Sequence, residues 1–272
     1  MIEKINDAYT LRFDYVKNWR QKLIFMSDLH YDSKYCDRTL LKNHLDYARD
    51  NNALVFMFGD IFDCMGGRYD KRANKEDLRE EYRKADYFDA LINDATRFFK
   101  PYKDNIIFIS DGNHEASILK HHETDLIERL ADPLDATHGS YMGFIRIMFE
   151  YNGGGHRRSL TMYYNHGSGG SAPVTKGVIK SNRRQVMVDA DIYVSGHNHN
   201  EWVMPITHAK LSSGGNVVIE KKLHINLGCY KDEWGKTDFA QMSEFDPENK
   251  GAFELELYYH NKEIKKTYRA LE

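Results

Sequence analysis

The chain has 272 residues, 41% of them hydrophobic and 13% aromatic, enough to bury one large core. Its 38 basic and 41 acidic residues nearly cancel to a net charge of -3, which excludes a global polycationic signature and leaves any nucleic-acid or membrane-binding surface to local patches. No run approaches the ~18 consecutive apolar residues of a membrane span, residues 1–22 lack the apolar region of a signal peptide, and Cys36, Cys64 and Cys229 stand in no metal or disulfide spacing, so a cytoplasmic chain with free thiols is expected.

Short apolar runs at residues 23–26, 54–58, 106–109, 160–164 and 192–194 read as buried strands. Between them the period changes. Residues 38–50 read as a short helix. Leu78, Tyr82, Ala85, Phe88, Leu91 and Ile92, three or four apart among charges, predict an amphipathic helix over 75–100. Val174, Val178, Ile179 and Val186 predict another over 174–188, with Pro173 where a first helical turn tolerates it. After His199 the pattern is β-rich, with hairpins expected around Gly214-Gly215 and around Asn261-Lys262. Strand-helix units followed by antiparallel strands suggest an α/β fold of two stacked mixed sheets flanked by helices. With no repeat and no low-complexity linker, residues 1–272 are expected to form one domain, its motifs in about 22–230 and a β-rich completion in 231–272.

Each of the five apolar runs ends in metal-ligand chemistry: Asp28-Leu29-His30, Gly59-Asp60 with Asp63, Gly112-Asn113-His114-Glu115, His166-Gly167, and Gly196-His197-Asn198-His199. Ligands of α/β sheets bind beyond the carboxyl ends of the strands, so these residues should meet at one rim. A lone D-x-H arises by chance roughly once in such a chain, and Gly-Asp is ordinarily a turn; five such ends in succession are not scattered turns. Asp28, His30, Asp60, Asn113, His166, His197 and His199 are nitrogen or oxygen donors, with no thiolate. They exceed the about four protein ligands of one zinc-like ion, which implies two ions sharing a carboxylate. If the D-x-H and H-x-H segments stay extended, alternate side chains face one site.

This succession resembles the signature of the calcineurin-like metallophosphoesterases over roughly residues 22–230. The resemblance implies a four-layer α/β/β/α sandwich and a binuclear metal centre. It assigns Asp28, His30 and His199 to one ion, Asn113, His166 and His197 to the second, and Asp60 to the bridge. A hydroxide bridging two divalent metals would then attack a phosphoester in line. His114, a non-ligand, would protonate the leaving oxygen, with Asp63 as the partner that fixes its tautomer. Manganese is the first choice of metal, and iron, zinc, nickel or cobalt suit the same donors.

Departures from the family's branches narrow the substrate. Cys64 stands where phosphoprotein phosphatases carry a phosphate-gripping arginine, and His114-Glu115 where lipid A pathway pyrophosphatases carry Arg-Asp. Nucleases and cyclic-nucleotide phosphodiesterases keep the histidine. The first reading is therefore a phosphodiesterase acting on a nucleotide or nucleic acid; the alternatives are a phosphomonoesterase, a nucleotide or lipid pyrophosphatase, or a metal-bound non-catalytic scaffold. Lys180, Arg183 and Arg184, with Lys176, would lie on one basic helix face that either holds a phosphate backbone or is simply solvated. His44, His121, His122, His138 and His156 read as surface residues. His208 and His224 either border the pocket or pack, and Trp202, Tyr230 and Trp234 either stack a base or pack. Oligomeric state and partner proteins are left open.

Overall fold

In the computed structural model, which describes residues 2–64, 77–152, 157–170, 174–232, 234, 236 and 250–271, the apolar runs become central strands of two mixed sheets. The strands are β1 (Ile2–Ile5), β2 (Ala8–Tyr15), β3 (Arg20–Met26), β4 (Leu54–Phe58), β5 (Ile106–Ser110), β6 (Thr137–Gly139), β7 (Met142–Tyr151), β8 (Arg157–Asn165), β9 (Ile192–Ser195), β10 (Trp202–Leu211), β11 (Val217–Asn226), β12 (Ala252–His260) and β13 (Glu263–Leu271). One sheet has the order β1-β2-β7-β8-β9-β11-β10, the other β13-β12-β3-β4-β5-β6. Strands β3 to β6 run parallel, as do β8, β9 and β11. The five motif-bearing strands thus belong to two parallel groups, one in each sheet.

Alternation divides each central strand between two cores. Leu23, Phe25, Phe56, Phe58 and Phe108 point between the sheets, against Ile145, Ile147, Phe149 and Tyr164. Ile24, Met26, Val55, Met57 and Ile109 point the other way, against Leu41 and Leu45 of α1 (Arg38–Asp50), Leu91 and Ala95 of α2 (Tyr87–Phe99) and Leu130 of α4 (Leu126–Leu134). Burial on both faces is why these strands are continuous apolar runs, each large side chain contributing about 1.5–3 kcal/mol. Helix α3 (Asn113–His122) lies between β5 and α4 in the chain. On the outer face of the first sheet lies α5 (Val178–Met187), joined to it by Ser181 Oγ, 2.6 Å from His224 Nδ1; the His224 ring stacks on Tyr193 at 4.2 Å. The result is the expected α/β/β/α layering, and His224 is a packing residue.

Helix α1 spans the expected residues because Asp37 caps it, accepting the Leu40 N–H at 2.9 Å. The helix expected over 75–100 begins only at Tyr87. Leu78 and Tyr82 are buried, but from an irregular segment: Leu78 bridges Ser33, Glu80–Tyr82 form a 3-10 turn, and Arg79 donates to the Ser33 and Cys36 carbonyls at 3.1 and 2.9 Å. Tertiary hydrogen bonds there override an apolar spacing that fits a helix. Helix α5 is likewise shorter than its pattern, starting after Gly177 at φ +84°; Pro173, like His156, lies outside the described residues. Both hairpins form as expected, and Asn261 and Lys262, at φ 49° and 64°, make the tight left-handed turn that joins β12 to β13. His44, expected at the surface, is buried with Nδ1 2.8 Å from the Tyr230 hydroxyl, and Tyr230 is fully buried in the helix-side core, where it can stack no base. Among the described residues no helix is long and apolar enough to cross a membrane.

Candidate metal centre

Beyond the strand ends, the loops after β3 and β4 continue to pair. Asp28 N–H donates to Gly59 O at 3.1 Å, His30 N–H to Asp60 O at 3.1 Å and Tyr31 N–H to Ile61 O at 2.9 Å. The loops after β8 and β9 are joined in the same way by Gly196 N–H to His166 O at 3.0 Å. The D-x-H and H-x-H segments are not extended. Asp28, His30, Asp60, His197 and His199 all have left-handed backbone, at φ 53°, 46°, 49°, 74° and 54°. Their side chains converge because the chain coils at each of them, a conformation costing roughly 1–2 kcal/mol per non-glycine residue and concentrated at functional sites.

Two sets of donors result: Asp28, His30 and His199, and Asp60, His166 and His197, the ligand atoms of each lying within 4.8 Å of one another. Asn113 joins the second, its Oδ1 3.2 Å from His166 Nε2. In the first, His30 Nε2 and Asp28 Oδ1 each lie 3.3 Å from His199 Nε2. The sets adjoin, since His166 Nε2 is 3.1 Å from Asp60 Oδ2 and 4.0 Å from Asp28 Oδ1. His166 Nδ1 donates to Phe58 O at 2.9 Å, which fixes the tautomer that presents Nε2 to the site. Asp28 Oδ1 is buried without a hydrogen-bond partner, while Oδ2 accepts the His197 N–H at 2.9 Å. A buried, unbonded carboxylate oxygen among imidazole nitrogens is costly alone and is what a divalent cation would satisfy. The donor sets therefore fit hard or borderline divalent ions.

Burial opposes ionisation of Asp28, but His166 and His199 outweigh it and hold its pKa down to about 2. Burial alone would lower the pKa of His166, yet the Asp60 and Asp28 carboxylates keep it raised to about 9. Burial, then His166, pushes that of His197 down.

His114 faces this cluster, its Nε2 3.7 Å from Asp60 Oδ2. Its Nδ1 meets the main-chain carbonyl of Asp63, and the Asp63 carboxylate lies farther off, at 3.8 Å. That carboxylate is 2.9 Å from His30 Nδ1 and 3.0 Å from Lys231 Nζ. The Asp63 carboxylate expected beside His114 thus stays within 3.8 Å of its ring, while the closer contact of Nδ1 is with the Asp63 main chain. Lys231 lies outside every spacing motif; Tyr230 N–H, donating to Asp28 O at 3.0 Å, brings it in. Glu115 and Asn226 also went unassigned. The Glu115 carboxylate accepts the N–H groups of Phe62, Gly112 and Asp60 at 2.8, 2.9 and 3.1 Å, tying β4's loop to the start of α3. Burial, then the Asp60 charge, pushes its pKa up to about 8 against those N–H groups. Asn226 takes Ser195 Oγ at 2.9 Å and bonds Asn198 Oδ1 at 2.5 Å, bracing the loop that carries His197 and His199. The position of Glu115 next to His114 in the G-N-H-E run is its only signal in the sequence, and Asn226 has none.

The basic residues do not share one face. Lys180 holds the carbonyls of Ser168, Gly169 and Gly170, Arg184 is half-buried beside Tyr163 and Tyr141, Arg183 is exposed, and Lys176 precedes the helix.

Two glycines show why the motifs need them. A Cβ on Gly112 would lie 2.1 Å from Asp60 Oδ1, and one on Gly196 2.1 Å from Ser27 Oγ and 2.5 Å from Asp28 Oδ2. Gly112→Ala is expected to destabilise the chain by about 1–3 kcal/mol and to weaken metal binding, since Asp60 must move. Urea denaturation and Mn²⁺ titration check it, and unchanged values in both would contradict this packing.

No curated protein matches the chain. Similar solved structures include a predicted phosphoesterase from Streptococcus pneumoniae, at 14% identity over 92% of this chain and 99% of that one, with a TM-score of 0.33. A metallophosphoesterase from Sphaerobacter thermophilus is 13% identical over 93% and 88%, with a TM-score of 0.38. GAP50, the anchor in the inner membrane complex of Plasmodium, is 12% identical over 92% and 84%, with a TM-score of 0.44. The family model for calcineurin-like phosphoesterases matches residues 21–233, which includes every candidate ligand; the chain belongs to the calcineurin-like phosphoesterase family.

Proposed function

We propose that the protein is a binuclear metal-dependent phosphodiesterase acting on a nucleotide or nucleic acid. The observation that carries this reading is the pair of adjoining donor sets, with the non-ligand His114 turned toward them. Asp28, His30 and His199 would hold one divalent ion, Asn113, His166 and His197 the other, with Asp60 between the two sets. Manganese is the first candidate. Such ions supply Lewis-acid charge to a phosphate and make water acidic enough to serve as a nucleophile near neutral pH. His114 Nε2 carries the proton for the leaving oxygen, its Nδ1 committed to the Asp63 carbonyl. The alkyl oxygen of a diester would leave as a strongly basic alkoxide, and protonation by His114 lets it leave as the alcohol. The absence of an arginine after Asp63, where Cys64 stands buried, removes the phosphate grip of protein phosphatases. Half-buried Arg184 lines the same cleft as His197.

The test is turnover of matched aryl phosphate diester and monoester by metal-stripped protein reloaded with Mn²⁺. Preference for the diester is expected; preference for the monoester would move the assignment to a phosphatase, and inactivity on both would overturn it.

Metal binding should depend on pH in a definite direction. His166 is protonated below about pH 9 in the metal-free centre, so Mn²⁺ must displace that proton. Affinity should rise about tenfold per pH unit toward that value, with proton release in calorimetric titration. Equal affinity at pH 6 and pH 8 would contradict it.

A further inference from the structure

We propose that Lys231 is a positioning residue of the metal centre: it commits the Asp63 carboxylate to His30, and so orients one imidazole of the first ion's ligand set. The inference rests on the ligand assignment of the proposed function. Asp63 is 1% exposed, and its side-chain contacts pass through one oxygen. Oδ1 accepts Lys231 Nζ at 3.0 Å and lies 2.9 Å from His30 Nδ1, whereas neither buried Oδ2 nor His30 Nδ1 has a hydrogen-bond partner, so the His30 contact is a close approach that the Lys231 bond holds in place. The position of Lys231 therefore decides which way the carboxylate faces. His114 makes no such demand, because its Nδ1 meets the Asp63 carbonyl.

Lys231 is itself 5% exposed and held on both sides. It bridges Cys36, Tyr230 N–H donates to Asp28 O at 3.0 Å, and Asp232 N–H donates to Tyr35 O at 3.0 Å. An ammonium taken out of water persists only against a paired charge, which makes this a buried pair rather than a surface contact. With Nδ1 2.9 Å from Asp63 Oδ1, His30 presents Nε2 to the cluster, 3.3 Å from His199 Nε2. The second ion's set has an independent anchor, His166 Nδ1 to Phe58 O. Lys231 therefore serves one ion and not the other, and that asymmetry separates positioning from general support of the fold.

The experiment is Mn²⁺ titration of the metal-stripped full chain, followed by electron paramagnetic resonance, for the wild type and for Lys231→Gln, Lys231→Met and Lys231→Arg. His30→Ala and His197→Ala identify which binding step belongs to which site. Expected is a loss of about 10–100-fold in affinity at the first site in Lys231→Gln and Lys231→Met, with the second site unchanged and the first restored in Lys231→Arg. Unchanged affinity at both sites would overturn the proposal, as would equal weakening of both accompanied by a lower Tm. If either neutral variant fails to fold, the comparison of the other with Lys231→Arg decides. These outcomes are read from metal binding alone, so a wild type that binds two ions yet cleaves no phosphoester would refute the proposed function and leave this inference standing.

Discussion

Asp60→Asn is expected to abolish turnover, lowering it by about a thousandfold or more, and to reduce Mn²⁺ from two ions per chain to at most one. Asp60 is 2% exposed, its Oδ2 3.1 Å from His166 Nε2, and its Oδ1 accepts the His114 N–H at 3.0 Å. Asparagine keeps the shape, and its carbonyl oxygen can still accept that N–H. The other position then becomes an NH₂ group directed at His166, a donor where a cation must bind, and the negative charge of the Asp60, His166 and His197 set is gone. Losing one transition-state donor costs about 10²–10³ in turnover; under the proposed assignment, in which Asp60 would serve both ions, the effect exceeds that range. Metal analysis and turnover measured on the same preparation check it. Two ions per chain with wild-type turnover would show that Asp60 bridges nothing.

Much of this centre was legible because one physical pattern repeats. A strand buried on both faces must be apolar throughout, so its first polar residues mark its exit, and Met26-Ser27-Asp28, Phe58-Gly59-Asp60 and Val194-Ser195-Gly196-His197 carry that transition openly. The two hairpins were legible for a similar reason, since alternation interrupted by Gly214-Gly215 or Asn261-Lys262 has few other solutions. What stayed hidden depends on contacts between distant residues. Leu78 and Tyr82 carry helical spacing, but their burial comes from the loop after β3, through Ser33 and Cys36. Lys231 reaches Asp63 across 168 residues of chain, and nothing around it in sequence distinguishes it from a surface lysine. Coiled backbone at Asp28 and His30 is equally invisible, because Asp and His carry no obligatory signal for φ > 0 as glycine does. The basic stretch failed differently: Lys180, Arg183 and Arg184 do lie on one helix, but Lys180 is spent on loop carbonyls and Arg184 turns inward.

His114→Ala should separate chemistry from metal binding. Turnover of an alkyl phosphodiester is expected to fall about 10²–10⁴-fold while two Mn²⁺ ions remain bound with near wild-type affinity. The metal should stay because the His114 contribution to ligand geometry is made by its main chain, whose N–H donates to Asp60 Oδ1 at 3.0 Å whatever the side chain. The start of α3 is also held independently, by Glu115 on the N–H of Gly112 at 2.9 Å. Only the imidazole goes, and with it the proton at Nε2, 3.7 Å from Asp60 Oδ2. The defect should therefore follow the leaving group. An alkoxide cannot depart without a proton, whereas an activated aryl oxide can, so the loss on an activated aryl diester should be much smaller. Loss of an ion in the variant would make His114 a ligand. An equal loss on both leaving groups would mean that its ring stabilises charge on the phosphate and transfers no proton; only a loss that grows with leaving-group basicity assigns it the general acid.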